Sequence, residues 1–190
     1  MSENTRSSRT SLWLIGVLCA APVVASYFAF YFAPPAAHTN YGELLATGPL
    51  SDARLKLADG TPFQFSRLRG KWVLLMVDSC RCDEFCRRKL FSLRQLRLTQ
   101  GKDMERIERA WLISDDVAPA AAVVGDFPGT WLVHAAGSEL LGQLPAARAL
   151  ADHIYVIDPL GNLVLRYPRD ADPGRIIKDL ARLLKASRIG

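Results

Sequence analysis

No charged residue lies between Arg9 and Glu43, and the whole sequence has only three histidines and four cysteines. It holds no internal repeat, which excludes a solenoid or propeller. It has no Cys-x-x-Cys, the spacing of thioredoxin-like reductases, and no paired cysteine knuckles of the kind that hold structural zinc. With 23% charged residues and 13 Gly plus 11 Pro in 190 residues, the chain as a whole is not disordered, and it is too short for a large barrel enzyme.

The uncharged stretch is informative in itself. Residues 11–33 are almost entirely apolar, and at about 1.5 Å per residue they make a helix of roughly 34 Å, long enough for a hydrocarbon core of about 30 Å. Arg6 and Arg9 precede this run and no Lys or Arg follows for some distance, so the positive-inside rule places residues 1–10 in the cytoplasm and the rest outside. Tyr27, Phe28, Phe30, Tyr31 and Phe32 crowd the outer end like an interfacial aromatic belt, and Pro34-Pro35 is expected to stop the helix. The run exceeds the usual core of a cleaved signal peptide and lacks a good small-x-small site, so an uncleaved anchor is expected. In a Gram-negative bacterium the anchor sits in the inner membrane and the remainder lies in the oxidising periplasm.

Residues 34–50 read as a juxtamembrane linker and 51–190 as one domain. Residues 54–57 and 62–65, around Asp59-Gly60, suggest a hairpin. The apolar run 72–77 suits a strand buried on both faces. A helix is expected over 83–99, with Leu90, Leu93 and Leu96 inward, Arg87, Arg88, Lys89, Arg94 and Arg97 on the wet side, and Gly101 as its stop. Strands follow at 110–113 and 130–134, with a short helix at 119–126 between them and a poorly patterned stretch after. Residues 154–157 and 163–167 flank the turn Asp158-Pro159-Leu160-Gly161-Asn162. Asp172-Pro173 opens a last helix striped by Ile176, Ile177, Leu180, Leu183 and Leu184. This alternation implies an α/β fold, a mixed sheet with helices on both faces.

The chemistry gathers in Ser79-Cys80-Arg81-Cys82-Asp83-Glu84-Phe85-Cys86. If Cys82 and Cys86 are both helical, their Cβ atoms lie about 5–6 Å apart, open to a disulfide or to one soft metal ion held between two sulfurs. The segment 81–97 carries six basic and two acidic residues, more than its share of a net charge of +5. That charge and the helix N-terminus are expected to favour thiolates. Asp78 reads as a helix cap, Cys80 as an auxiliary thiol, His134 as a strand-end residue and His38 as a solvated linker residue.

Gly70-Lys71-Trp72-Val73-Leu74-Leu75 followed by Cys-x-x-x-Cys at a helix start, together with Tyr155-Val156-Ile157-Asp158-Pro159-Leu160-Gly161-Asn162, resembles the SCO/SenC family of membrane-anchored, thioredoxin-like copper chaperones of cytochrome c oxidase assembly. The resemblance implies a thioredoxin-like fold and copper held by Cys82, Cys86 and His153. It also implies a partner in the same membrane, an oxidase subunit or another assembly factor. Where the family usually has prolines, this chain has Asp83 and Arg87. His153 lies closer to the hairpin tyrosine than the family's histidine does, and an odd offset along a strand turns a side chain to the other face. Three functions stay open: a copper metallochaperone, a periplasmic thiol–disulfide oxidoreductase using Cys82, Cys86 and perhaps-resolving Cys80, and a non-catalytic assembly scaffold. The compartment argues against nucleic-acid binding.

Overall fold

The computed structural model describes residues 4–32, 40–117 and 119–187. Pro34-Pro35 and His38 lie outside them, as does the first part of the expected linker. The chain divides into two compact units, residues 1–39 and 40–190. The first is helix α1, Asn4–Phe32. Its segment Trp13–Phe32 has a mean hydropathy of 1.9 and is long and apolar enough to cross a membrane, a test that an anchor and a signal sequence both pass.

The second unit is built on an eight-stranded sheet. Its strands are β1 (Glu43–Pro49), β2 (Leu55–Leu57), β3 (Pro62–Phe63), β4 (Trp72–Asp78), β5 (Ile107–Ile113), β6 (Thr130–His134), β7 (Ile154–Ile157) and β8 (Asn162–Tyr167). They lie in the order β1-β8-β7-β4-β5-β6-β2-β3. Strands β4, β5 and β6 run parallel, while β7 pairs antiparallel with β4, so the sheet is mixed. The central run Trp72–Val77 is buried on both faces, as its unbroken apolar sequence requires. Trp72, Leu74 and Met76 face α2 (Glu84–Leu98) and α5 (Pro173–Ala186). Val73, Leu75 and Val77 face the opposite core, closed by Phe65, Leu68 and the short helix α4 (Glu139–Gln143). Helices thus cover both faces, the two long ones on the same side.

Turn chemistry places the elements as expected. The Asp158 N–H donates to Asn162 O at 2.9 Å, and Gly161 takes φ 92°, closing the β7–β8 hairpin. Asp172 caps α5 by accepting from Gly174 N at 2.8 Å, with Pro173 at the first helical position. Helix α2 ends at Leu98, and Gly101 lies beyond it, opening the helical turn Gly101–Arg106.

Two expectations are corrected. The stretch read as a linker contains strand β1, which extends the sheet by pairing antiparallel with β8. Its signal is weak because the strand lies at the sheet edge, with Leu44 exposed and Leu45 packed inward. The entry to β1 is fixed by buried Asp179 of α5, which accepts the N–H groups of Tyr41 and Gly42 at 2.8 and 2.9 Å. A Cβ at Gly42 would meet the ring of buried Tyr167 at 2.7 Å, so this close approach requires glycine. The second correction is Lys89. Charge placed it on the wet side of α2, but it is buried at 5% exposure.

Candidate functional site

The site forms where β4 ends and α2 begins. The Asp78 side chain accepts the Ser79 N–H at 2.9 Å. The Cys82 N–H donates to Ser79 O at 3.2 Å, which closes a tight turn around Cys80 and Arg81. Cys82 then takes φ 37°, a left-handed conformation uncommon outside glycine. Helix α2 starts two residues later, capped by Asp83, whose carboxylate accepts the Cys86 N–H at 2.9 Å. Asp83, not Asp78, is therefore the cap. The sequence carries that signal in an aspartate directly before the helical apolar stripe.

Cys82 therefore lies before the helix and only Cys86 lies within it. The left-handed turn brings their Cα atoms to 5.0 Å and the two sulfurs form a disulfide. Both are buried, in the cluster that also holds Cys80, Trp111, Leu90 and Ile154. Cys80 is a buried free thiol. Its pKa is raised, first by loss of water and then by the Asp115 carboxylate, the reverse of the thiolate-favouring setting expected from the basic helix. Asp115 follows β5 and accepts the Cys80 N–H with both oxygens at 3.1 Å. Nothing in its local sequence marks it, because its partner is 35 residues away.

The basic character of α2 is largely neutralised. Arg87 pairs with Asp126 at 3.2 Å, Arg88 with Glu84 at 2.9 Å and Arg97 with Glu105 at 3.2 Å. Lys89 turns inward to Asp78 at 2.8 Å and also donates to Val77 O and Ala151 O. Phe85, between the two bonded cysteines, lies under the Arg169 guanidinium at 4.4 Å and near Lys89 Nζ at 5.1 Å.

His153 is buried, with Nδ1 2.9 Å from Tyr167 O and Nε2 without a hydrogen-bond partner. Its backbone is extended, and its ring packs against Tyr155 at 5.9 Å. Tyr155 belongs to the core on the far side of the sheet from the disulfide, whereas Ile154 and Val156 belong to the disulfide side. The structure thus brings Cys80, Cys82 and Cys86 together and leaves His153 on the other face. His134 ends β6 and is half-buried opposite Lys56. Among the described residues no cluster of three or more His, Cys, Asp or Glu side chains is placed to hold a metal ion. The disulfide offers no thiolate; once reduced, Cys82 and Cys86 supply two soft sulfur donors, which suit Cu(I).

Residues 72–187 match the family described as "Transmembrane-like, thioredoxin-like, C-terminal domain". The chain belongs to this family. The matched segment runs from β4 through α5 and contains the whole cysteine cluster. The chain matches none of the curated proteins. Among solved structures it is similar to yeast Sco1 with copper bound, at 18% identity over 74% of this chain and 96% of that one, with a TM-score of 0.61. It is also similar to Bradyrhizobium japonicum ScoI with copper bound, at 18% identity over 71% of this chain and 99% of that one, TM-score 0.55. A third likeness is to MTB dsbF in mixed oxidised and reduced forms, at 17% identity over 71% of this chain and 94% of that one, TM-score 0.52. At such identities the likeness is one of fold, shared with copper proteins and thiol oxidoreductases alike.

Proposed function

We propose that the chain is a membrane-anchored copper metallochaperone of cytochrome c oxidase assembly, with Cu(I) as its cargo between the thiolates of reduced Cys82 and Cys86. The observation that carries this reading is the pair itself: two cysteines four residues apart, brought within bonding distance at the strand-to-helix junction of a fold similar to that of proteins solved with copper bound. Two electrons and two protons open the disulfide to two thiols, and binding of Cu(I) as thiolates releases those protons. The metal then moves to the recipient by ligand exchange, which needs no turnover chemistry. His153 faces away from the pair, so the proposed Cu(I) site is a two-sulfur site.

In this reading α1 is an uncleaved anchor in a bacterial inner membrane. Residues 1–10 lie in the cytoplasm and the sheet domain in the periplasm, facing an oxidase subunit or another assembly factor in the same membrane. The experiment uses the full chain in detergent, reduced without oxygen and titrated with Cu(I) against a competing chelator. One tight equivalent, lost in Cys82→Ser and in Cys86→Ser, is expected. The absence of stoichiometric copper in the wild type overturns the proposal.

The second reading is a thiol–disulfide oxidoreductase, favoured by the closed Cys82–Cys86 disulfide and by the likeness to MTB dsbF. It predicts rapid reduction of a model protein disulfide by the same reduced sample. A chain that neither binds copper nor exchanges disulfides is left with the scaffold role.

A further inference from the structure

Three cysteines within seven residues permit three pairings, and the structure contains one of them. Distance alone does not make the choice. Cys80 is two residues from Cys82, a separation of at most about 7 Å along the chain, and it is buried in the same cluster as both bonded partners. The neighbouring element does discriminate. Both oxygens of Asp115 accept the Cys80 N–H at 3.1 Å, and the same carboxylate lies against the Cys80 side chain. Asp115 is itself held in place, because the Ser114 N–H donates to Asp78 O at 3.0 Å and so carries the β4–β5 pairing past the end of both strands. On the other side of the turn, Cys82 adopts φ 37° and bonds Cys86. The two ends of one tight turn are thus assigned different partners, Cys80 to Asp115 and Cys82 to Cys86.

We propose that Asp115 is the residue that selects Cys82–Cys86 as the disulfide and keeps Cys80 out of exchange. This rests on the reading of Cys82 and Cys86 as the working pair and deepens it: a carrier with two donor sulfurs needs one defined pair. The reaction it suppresses is thiol–disulfide exchange. The Cys80 sulfur, giving up its proton, attacks Sγ of Cys82 or Cys86; the existing S–S bond breaks as the new one forms; the displaced cysteine leaves as thiolate and takes up that proton. No electrons are gained or lost overall.

The sequence supplies its own assay, because Arg81 lies between Cys80 and Cys82 and Arg87 follows Cys86. The full chain in detergent is reduced and reoxidised with glutathione disulfide, which takes up the two electrons and leaves as two glutathione thiols. It is then trapped with acid and an alkylating agent, digested with trypsin and read by mass spectrometry. Native pairing leaves residues 82–87 as one internally bonded peptide and Cys80 alkylated on another; either wrong pairing cross-links the two peptides. The wild type is expected to give almost no cross-linked product, and Asp115→Ala at least a tenfold rise. Unchanged native pairing in a folded Asp115→Ala protein overturns the proposal. If circular dichroism shows that this variant does not fold, Asp115→Asn is read instead; a rise of at least threefold supports the proposal and native pairing overturns it. No copper enters the assay, so failure of copper binding and failure of pairing selection give separate results.

Discussion

Lys89 Nζ lies 2.8 Å from Asp78 Oδ2, with the two side chains only 6% and 13% exposed. This buried ion pair joins the end of β4 to α2 one helical turn after Cys86. The ammonium also donates to Val77 O at 3.2 Å and to Ala151 O, so its three protons are all used. Burial pulls the Lys89 pKa down, and the Asp78 carboxylate works against that shift. Removing one partner leaves the other charge buried and unpaired, which costs about 3–5 kcal/mol. Lys89→Met is therefore expected to destabilise the domain by that order, and adding Asp78→Asn to recover much of the loss. Urea unfolding of the two single variants and the double variant gives the coupling. Additive losses would mean that the pair does not hold the junction together.

The same lysine shows what sequence can and cannot convey here. The hairpins, the buried strand, the capped last helix and the stripe Leu90, Leu93, Leu96 were legible because periodicity and turn chemistry are local. Lys89 was misplaced because charge on a helix reads as solvent exposure, and its counter-charge is 11 residues back on another element. Strand β1 was hidden because its pairing with β8 is set by Asp179, more than 130 residues away. In the site, the clustering of cysteines was visible from spacing, while the left-handed turn at Cys82 and the role of Asp115 were not. The side change of His153 followed from counting: an extended backbone alternates, and one residue of offset moved it to the Tyr155 side.

The disulfide closes a loop of only a few residues, and chain-entropy arguments limit its stabilisation to about 2 kcal/mol. At roughly 2–4 °C per kcal/mol for a domain of this size, reduction is expected to lower Tm by less than about 8 °C and to leave the fold intact. Thermal melts with and without dithiothreitol measure this. A domain that unfolds on reduction could not carry copper on its reduced cysteines.

His153 and the cysteines separate in a copper titration. Because the His153 ring packs against Tyr155 on the far face, His153→Ala is expected to leave Cu(I) stoichiometry and affinity unchanged within about twofold. Cys82→Ser or Cys86→Ser is expected to remove the tight site. Chelator competition on reduced samples measures both. A loss of tenfold or more in His153→Ala would mean that the 150–153 segment moves to bring the imidazole to the sulfurs.

Tyr155 sets an alkaline limit. Burial raises its phenol from 10.0 to about 12, and its hydroxyl donates to Pro145 O at 2.9 Å. Below the unfolded-state value both states keep the proton and stability is independent of this group. Between about pH 10 and 12 the unfolded chain ionises first, so the folded state loses its advantage as pH rises. At about 1.4 kcal/mol per pH unit, the loss attributable to Tyr155 approaches 3 kcal/mol by pH 12. Tyr167, also pushed upward by burial, adds to the slope in the same direction. Tyr155→Phe is expected to cost about 1 kcal/mol at pH 7 through the lost hydrogen bond and to flatten the fall above pH 10. Urea unfolding across this range, with phenolate absorbance followed in parallel, checks both effects. An alkaline slope unchanged in Tyr155→Phe would show that this phenol ionises alike in both states.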